Sequence, residues 1–224
     1  MVTDPATLFL AGALVIAYAS RTGNRRNLET LRQRGWRLLV SRAWEWRREG
    51  FDRWAGDNGA WHDFQAGVAF DEDAFDEFLD WVATQPPPDW IVLPDIVAGG
   101  LASLALSTRY INRCLALTPL VLIAVQDGME RHHLEPLVGR NVGVFLGGST
   151  EWKIARMQDW GEFCAAHGIW YHVARVNTRR RVYQAIAAGA KSFDGSSCSR
   201  YACNMDKLDH ARRHLDLFAP EVTA

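Results

Sequence analysis

Three aspartates, a glutamine and a pair of glycines fall where short apolar runs of this sequence end, and their types suit proton and glycosyl transfer. Asp57 closes "WAGD" and opens "DNGAW". Asp95 follows "WIVLP", Gln126 follows "VLIAV", Gly147 and Gly148 follow "VGVFL", and Asp194 sits in "KSFDGSS". Two carboxyl groups that converge on one concave site can divide labour, one attacking an anomeric carbon while the other handles protons. Asp95 and Gln126 could hydrogen-bond the edge of a nucleobase through complementary acceptors and donors. Glycines 147 and 148, without a Cβ, let a flat ring approach the backbone, although "GGS" equally suits phosphate binding or a plain turn. Any strand-to-helix turn favours Asp, Asn, Gly and Ser. This set stands apart because three carboxyl groups and a glutamine recur at the ends of such runs.

Such groups act together only if the chain brings the run ends to one place. Eight β-rich runs can be counted: Leu10 to Ala19, Trp36 to Ser41, Arg53 to Gly56, Trp90 to Pro94, Leu120 to Gln126, Val142 to Leu146, Ile169 to Ala174 and Lys191 to Phe193. The third and eighth are weak by periodicity alone. Between them the pattern predicts helices over Asn24–Arg34, Asp71–Thr84, Leu101–Cys114, Glu130–Leu137, Glu151–His167, Arg179–Ala188 and Asp206–Leu217. Thr150 and Thr178 are placed to cap two of them, and Gly35, Gly168 and Gly189 to end others in the left-handed conformation. Alternating strands and helices signify a parallel sheet, and eight units suggest a closed (β/α)8 barrel. At 224 residues the chain is a compact version of a fold that usually takes about 250. An open doubly wound sheet is the alternative. With no long linker, the chain reads as a single domain over residues 1–224.

Composition fits a folded, water-soluble protein: 48% hydrophobic, 23% charged, net charge −1. That balance offers no global attraction to nucleic acid, but charge is unevenly placed. Residues 1–50 hold nine Arg against four acids, and residues 51–90 hold one Arg against ten. The run "LFLAGALVIAYA" is shorter than the roughly 20 residues a bilayer span requires and follows Asp4 instead of a basic segment. It reads as a buried strand, and no membrane association is expected. Four cysteines are too sparse for a secreted disulfide scaffold, so the expected compartment is the cytoplasm.

Arg21, with Arg25 and Arg26, and Arg175, with Asn177 and the Arg179–Arg181 run, are candidate nucleic-acid contacts, since both clusters begin at strand ends. Most of the ten tryptophans should be core, Trp81, Trp160 and Trp170 among them, while Trp61 and Trp152 follow rim motifs and could stack on an extruded base. Cys198, Cys203, His210 and His214 have the wrong middle gap for a zinc finger, six residues against the usual ~12. No metal site is expected.

These residues also carry a family resemblance. In order along nearly the whole chain, "SRTGNRRNL", "DNGAW", "LPDIVAGG", "VQDGM", "GVFLGGSTEWK", "HVARVNTRRR" and "SFDGSS" resemble the tRNA-guanine transglycosylase superfamily, and most closely its DNA-acting branch, the deoxypurine-in-DNA protein A family of phages and bacteria. The resemblance implies a barrel enzyme that exchanges guanine in DNA for a free 7-deazaguanine base, such as the 7-cyano form, through a covalent link between an aspartate and the sugar C1′. Carried over by motif, Asp194 is the nucleophile and Asp57 the general acid/base. Asp95 and Gln126 read the base edge, and Gly147 and Gly148 supply backbone against it. No metal or redox cofactor is implied. The tight cysteine cluster and later histidine that hold zinc in the tRNA enzymes have no counterpart here, which favours DNA over tRNA. "DNGAW" carries Asn58 and Ala60 where the tRNA enzymes usually have Ser and Gly. A nucleoside hydrolase on the same barrel, a tRNA-acting transglycosylase and a non-catalytic nucleic-acid-binding module are the alternatives. Homodimerisation and partner proteins are left open.

Overall fold

The computed structural model describes residues 14–21 and 24–213. Among these, eight strands alternate with helices in the order β1 (Ile16–Ser20), α1 (Arg25–Gln33), β2 (Arg37–Ser41), β3 (Trp54–Asp57), α2 (Ala60–Ala66), α3 (Glu72–Ala83), β4 (Ile91–Val92), α4 (Gly100–Leu115), β5 (Val121–Val125), α5 (Arg131–Leu134), β6 (Val142–Leu146), α6 (Thr150–Ala166), β7 (Tyr171–Val173), α7 (Arg179–Ala187), β8 (Ser192–Gly195), α8 (Ser197–Arg200) and α9 (Ala202–Arg213). Every neighbouring pair of strands is parallel, and β8 returns to β1 with Tyr18 opposite Asp194, closing the barrel. Parallel strands covered on both faces need near-continuous apolar sequence, which is why the runs were legible. The two weak ones are both present, each shifted toward its aspartate. The start of the first run, before residue 14, and the end of the last predicted helix, with His214, lie outside the described residues.

The two faces of each strand serve different cores. Val40, Ile123, Val144 and Phe193 pack outward against helices that turn apolar stripes toward them, such as Phe75, Phe78 and Leu79 of α3. Alternate residues, including Tyr18, Leu39, Ala55, Val92, Leu122 and Ala124, fill the barrel interior. Two positions further along β3 and β5 the same inward series continues as Asp57 and Gln126. The period of two along a strand thus turns each strand's last inward side chain toward the mouth. Below, the Tyr18 hydroxyl and Arg37 guanidinium both donate to Asp89 at 2.8 Å.

Helix boundaries follow their caps. Thr178 caps α7 as expected, accepting from Arg181 N. Gly35, Gly168 and Gly189 all take positive φ. The cap of α6 is Ser149 and not Thr150: the Ser149 Oγ accepts from Trp152 N, and Thr150 becomes the first helical residue. Two short helices, α2 and α8, span too few residues for a periodic signal. Among the described residues no helix is long and apolar enough to cross a membrane.

Candidate active site

The barrel mouth holds a cavity of about 420 Å³, the size of a small-molecule pocket. All nine site residues expected from sequence line it: Arg21, Asp57, Asp95, Gln126, Gly147, Gly148, Arg175, Asn177 and Asp194. Their surroundings differ enough to separate those free to act from those already engaged.

Asp194 ends β8 as a buried side chain whose Oδ1 accepts from His172 Nε2 and from the Arg175 backbone N–H, both at 3.1 Å. Its Oδ2 takes no hydrogen bond from a described residue. Arg175 delivers its N–H from a left-handed backbone, φ 55°, uncommon for a non-glycine residue. Behind Asp194, a Cβ on Gly195 would lie 2.5 Å from the Val176 carbonyl oxygen, so glycine alone lets the β7 and β8 ends approach.

Asp57 ends β3 opposite Ser41 of β2. Burial pushes its carboxyl up to about 6, helped by the nearby charge of Asp194 and opposed by hydrogen bonds from Ser41 and from Gly59 N. Asp95 lies deeper and is pushed up to about 7, chiefly by burial, with the Asn58 amide acting against the shift. Asn58 Nδ2 donates to Asp95 Oδ1, and Gln126 Nε2 makes a short hydrogen bond to Asp95 Oδ2, while Gln126 Oε1 accepts from Ala98 N at 3.2 Å. Asp95 and Gln126 are therefore a pre-assembled pair, with acceptor capacity left on the carboxyl and one N–H left on the amide.

At Gly148, with φ 72°, an added Cβ would meet Asp127 Oδ2 at 2.6 Å and the Trp152 ring at 2.8 Å. The protein's own packing thus requires that glycine, whatever approaches from the mouth. Trp152 is partly buried beneath it, while Trp61 is 40% exposed and carries the Arg175 guanidinium 4.0 Å above its ring centroid. Asn177 Oδ1 accepts from Ser197 N at 2.9 Å, fixing the start of α8. The Arg21 guanidinium is held by Glu49 at 2.8 Å and Glu45 at 3.1 Å. Arg175 also donates to the Gly148 carbonyl, so both arginines arrive with partners.

Sequence reasoning overlooked the supports. Asn58 is 2% exposed and its Oδ1 accepts from Ala60 N at 2.9 Å. The buried Arg42 guanidinium binds the Asn58 carbonyl and Asp63. His172 and Ser192 lie inside the barrel behind Asp194. Buried polar residues within apolar runs were the available signal, because they must find partners. Cys198 is buried and Cys203 exposed.

No family model matches the chain, and no curated protein matches it. Solved structures do. One titled "Native KDPGal structure" aligns at a TM-score of 0.56 and 14% identity over 95% of this chain and 96% of its own. "QR15, an Aldolase" gives 0.53 and 11% over 88% and 97%. Tryptophan synthase subunit alpha from Campylobacter jejuni gives 0.51 and 12% over 96% and 100%. The chain is a (β/α)8 barrel. At these identities the likeness extends to the fold alone, and the chemistry of the mouth has to be read from its own side chains.

Proposed function

We propose that this protein is a glycosyl-transfer enzyme that exchanges guanine in DNA for a 7-deazaguanine base by double displacement at C1′. The observation that carries the reading is the asymmetry of Asp194: one carboxyl oxygen is held by two N–H groups while the other takes no hydrogen bond from a described residue, in a cavity shared with Asp57. In the first step Asp194 Oδ2 attacks C1′, the C1′–N9 bond breaks, and its electron pair leaves on the base. Protonated Asp57 gives that base a proton. In the second, Asp57 takes the proton from the incoming base, whose nitrogen attacks C1′ and expels Asp194. A carboxyl pushed up to about 6 can do both near neutrality. A covalent intermediate lets one pocket serve both bases in turn. The Asp95–Gln126 pair supplies acceptors and a donor for a purine edge, and the target base must leave its stack to reach them.

One structural neighbour is titled an aldolase, and a different reading would be aldol chemistry through a Schiff base. That needs an amine at the site. The sequence has three lysines, Lys153, Lys191 and Lys207, and none lines the mouth. Lys153 is buried with its Nζ 2.5 Å from the Ala174 carbonyl oxygen, serving as a prop beneath β7.

The test is incubation of the protein with guanine-containing DNA and labelled guanine. Label enters the DNA and a denaturant-resistant protein–DNA adduct forms, and Asp194→Asn abolishes both while leaving the fold intact. Abasic sites without label would assign a hydrolase instead. Retained exchange by Asp194→Asn would remove the nucleophile assignment.

A further inference from the structure

Behind Asp194 a line of hydrogen bonds runs down the inside of the barrel. Trp170 Nε1 lies 2.9 Å from Ser192 Oγ, Ser192 Oγ lies 2.8 Å from His172 Nδ1, and His172 Nε2 lies 3.1 Å from Asp194 Oδ1. Both His172 and Ser192 are fully buried. The indole N–H can only donate, so Ser192 accepts from Trp170 and has its single hydrogen left. Among the described residues Nδ1 is the acceptor in reach of that hydrogen, and with Nδ1 protonated none of them would accept from the buried hydroxyl. At the other end a carboxylate oxygen requires a donor from Nε2. Both ends therefore select the same tautomer, protonated at Nε2.

We propose that His172, fixed as the Nε2–H tautomer by Ser192 and Trp170, is a positioning residue that clamps Asp194 Oδ1 and so presents Oδ2 alone to the mouth. The imidazole cannot turn away: it stacks on Phe145 with centroids 4.9 Å apart and planes 8° from parallel, and Trp90 crosses it at 4.7 Å. Tyr18 of β1, Asp194 of β8 and Lys153 of α6 are the titratable groups around it. Burial holds the imidazole below its usual range, Lys153 acts in the same direction, and the Asp194 carboxylate acts against them. The histidine stays neutral, giving a directed N–H without placing a full positive charge that would quench the carboxylate as a nucleophile. The catalytic part of this inference rests on the transglycosylase reading, but the tautomer does not.

Two measurements on the full chain separate them. Nitrogen NMR of the wild type with labelled histidine at neutral pH should show His172 protonated at Nε2 and not at Nδ1, with Ser192→Ala shifting its Nδ1 signal. A proton on Nδ1 overturns the proposal. In the exchange assay His172→Phe, which keeps a flat ring but no donor, should slow adduct formation about 100-fold with KM for DNA unchanged. His172→Gln, which restores an N–H near the Nε2 position, should recover part of that loss. Adduct formation by His172→Phe at the wild-type rate overturns the proposal. If the wild type makes no adduct at all, the transglycosylase reading fails and the NMR result alone decides the tautomer lock.

Discussion

Asn58 Nδ2 lies 2.6 Å from Asp95 Oδ1 and 2.6 Å from the Leu93 carbonyl oxygen, so one buried amide ties the end of β3 to the residues after β4. β4 itself has two residues, and its alignment leans on this tie.

Asn58→Ala should therefore destabilise the protein, by about 1–3 kcal/mol for an unpaired buried group, and more at pH 8 than at pH 5. Asp95 in the folded protein is pushed up to about 7, above its unfolded value. A raised carboxyl favours the folded state at low pH, and that contribution is lost as pH rises from about 4 to about 7. Without Asn58 the ionised form keeps the Gln126 donor on Oδ2 but loses the one on Oδ1, and the loss deepens. Urea unfolding at the two pH values measures the difference; equal effects at both would contradict the coupling.

The Asp57 carboxyl, pushed up to about 6, must be protonated to help the first base leave. Single-turnover adduct formation should fall as pH rises through that value, and Asp57→Asn should slow it by about 100-fold or more, as loss of a general acid does. A flat profile from pH 5 to 8 would assign the proton transfer elsewhere.

Trp61 is exposed and already carries the Arg175 guanidinium on its face. Trp61→Ala should weaken binding of single-stranded DNA by about 1–2 kcal/mol, the worth of one stacked base, while changing stability little. Fluorescence anisotropy with a labelled oligonucleotide gives the first and thermal unfolding the second. Unchanged affinity would remove Trp61 from the substrate path.

Gly195 leaves no room for a side chain, with the Val176 carbonyl oxygen 2.5 Å and Asn177 Oδ1 2.8 Å from a Cβ placed there. Gly195→Ala should cost about 1–3 kcal/mol as an overpacking change, and displace Asp194 along with it. The measured signature is a lowered urea midpoint together with loss of adduct formation. Wild-type adduct formation at the lowered midpoint would show that Asp194 holds its place independently of β8 packing.

The rim aspartates were legible because a strand ends where its apolar run gives way to turn residues, and a barrel collects those ends on one side. "WAGD" and "SFDG" were weak as strands for the reason that makes them useful: each spends its last inward position on a carboxyl group instead of an apolar side chain. α2 and α8 were not legible, since seven and four residues give no reliable period. His172 was hidden inside an apolar run, "IWYHVA", because strands covered on both faces look alike on either side until it is known which residues point inward.

The sequence by itself determined the order of the eight strands and of the longer helices, the aspartates, glutamine and glycines at their ends, and the caps that start and stop several helices. All of these are set by neighbours a few residues away. Only the tertiary structure decided which side chains share a space. Ring closure pairs β8 with β1 and faces Asp194 toward the cavity it shares with Asp57. It also places His172 beneath the one carboxyl oxygen, and lets Glu45 and Glu49 occupy Arg21. Those contacts join residues far apart in the chain, and their partners are chosen by strand register and packing, which no local pattern encodes.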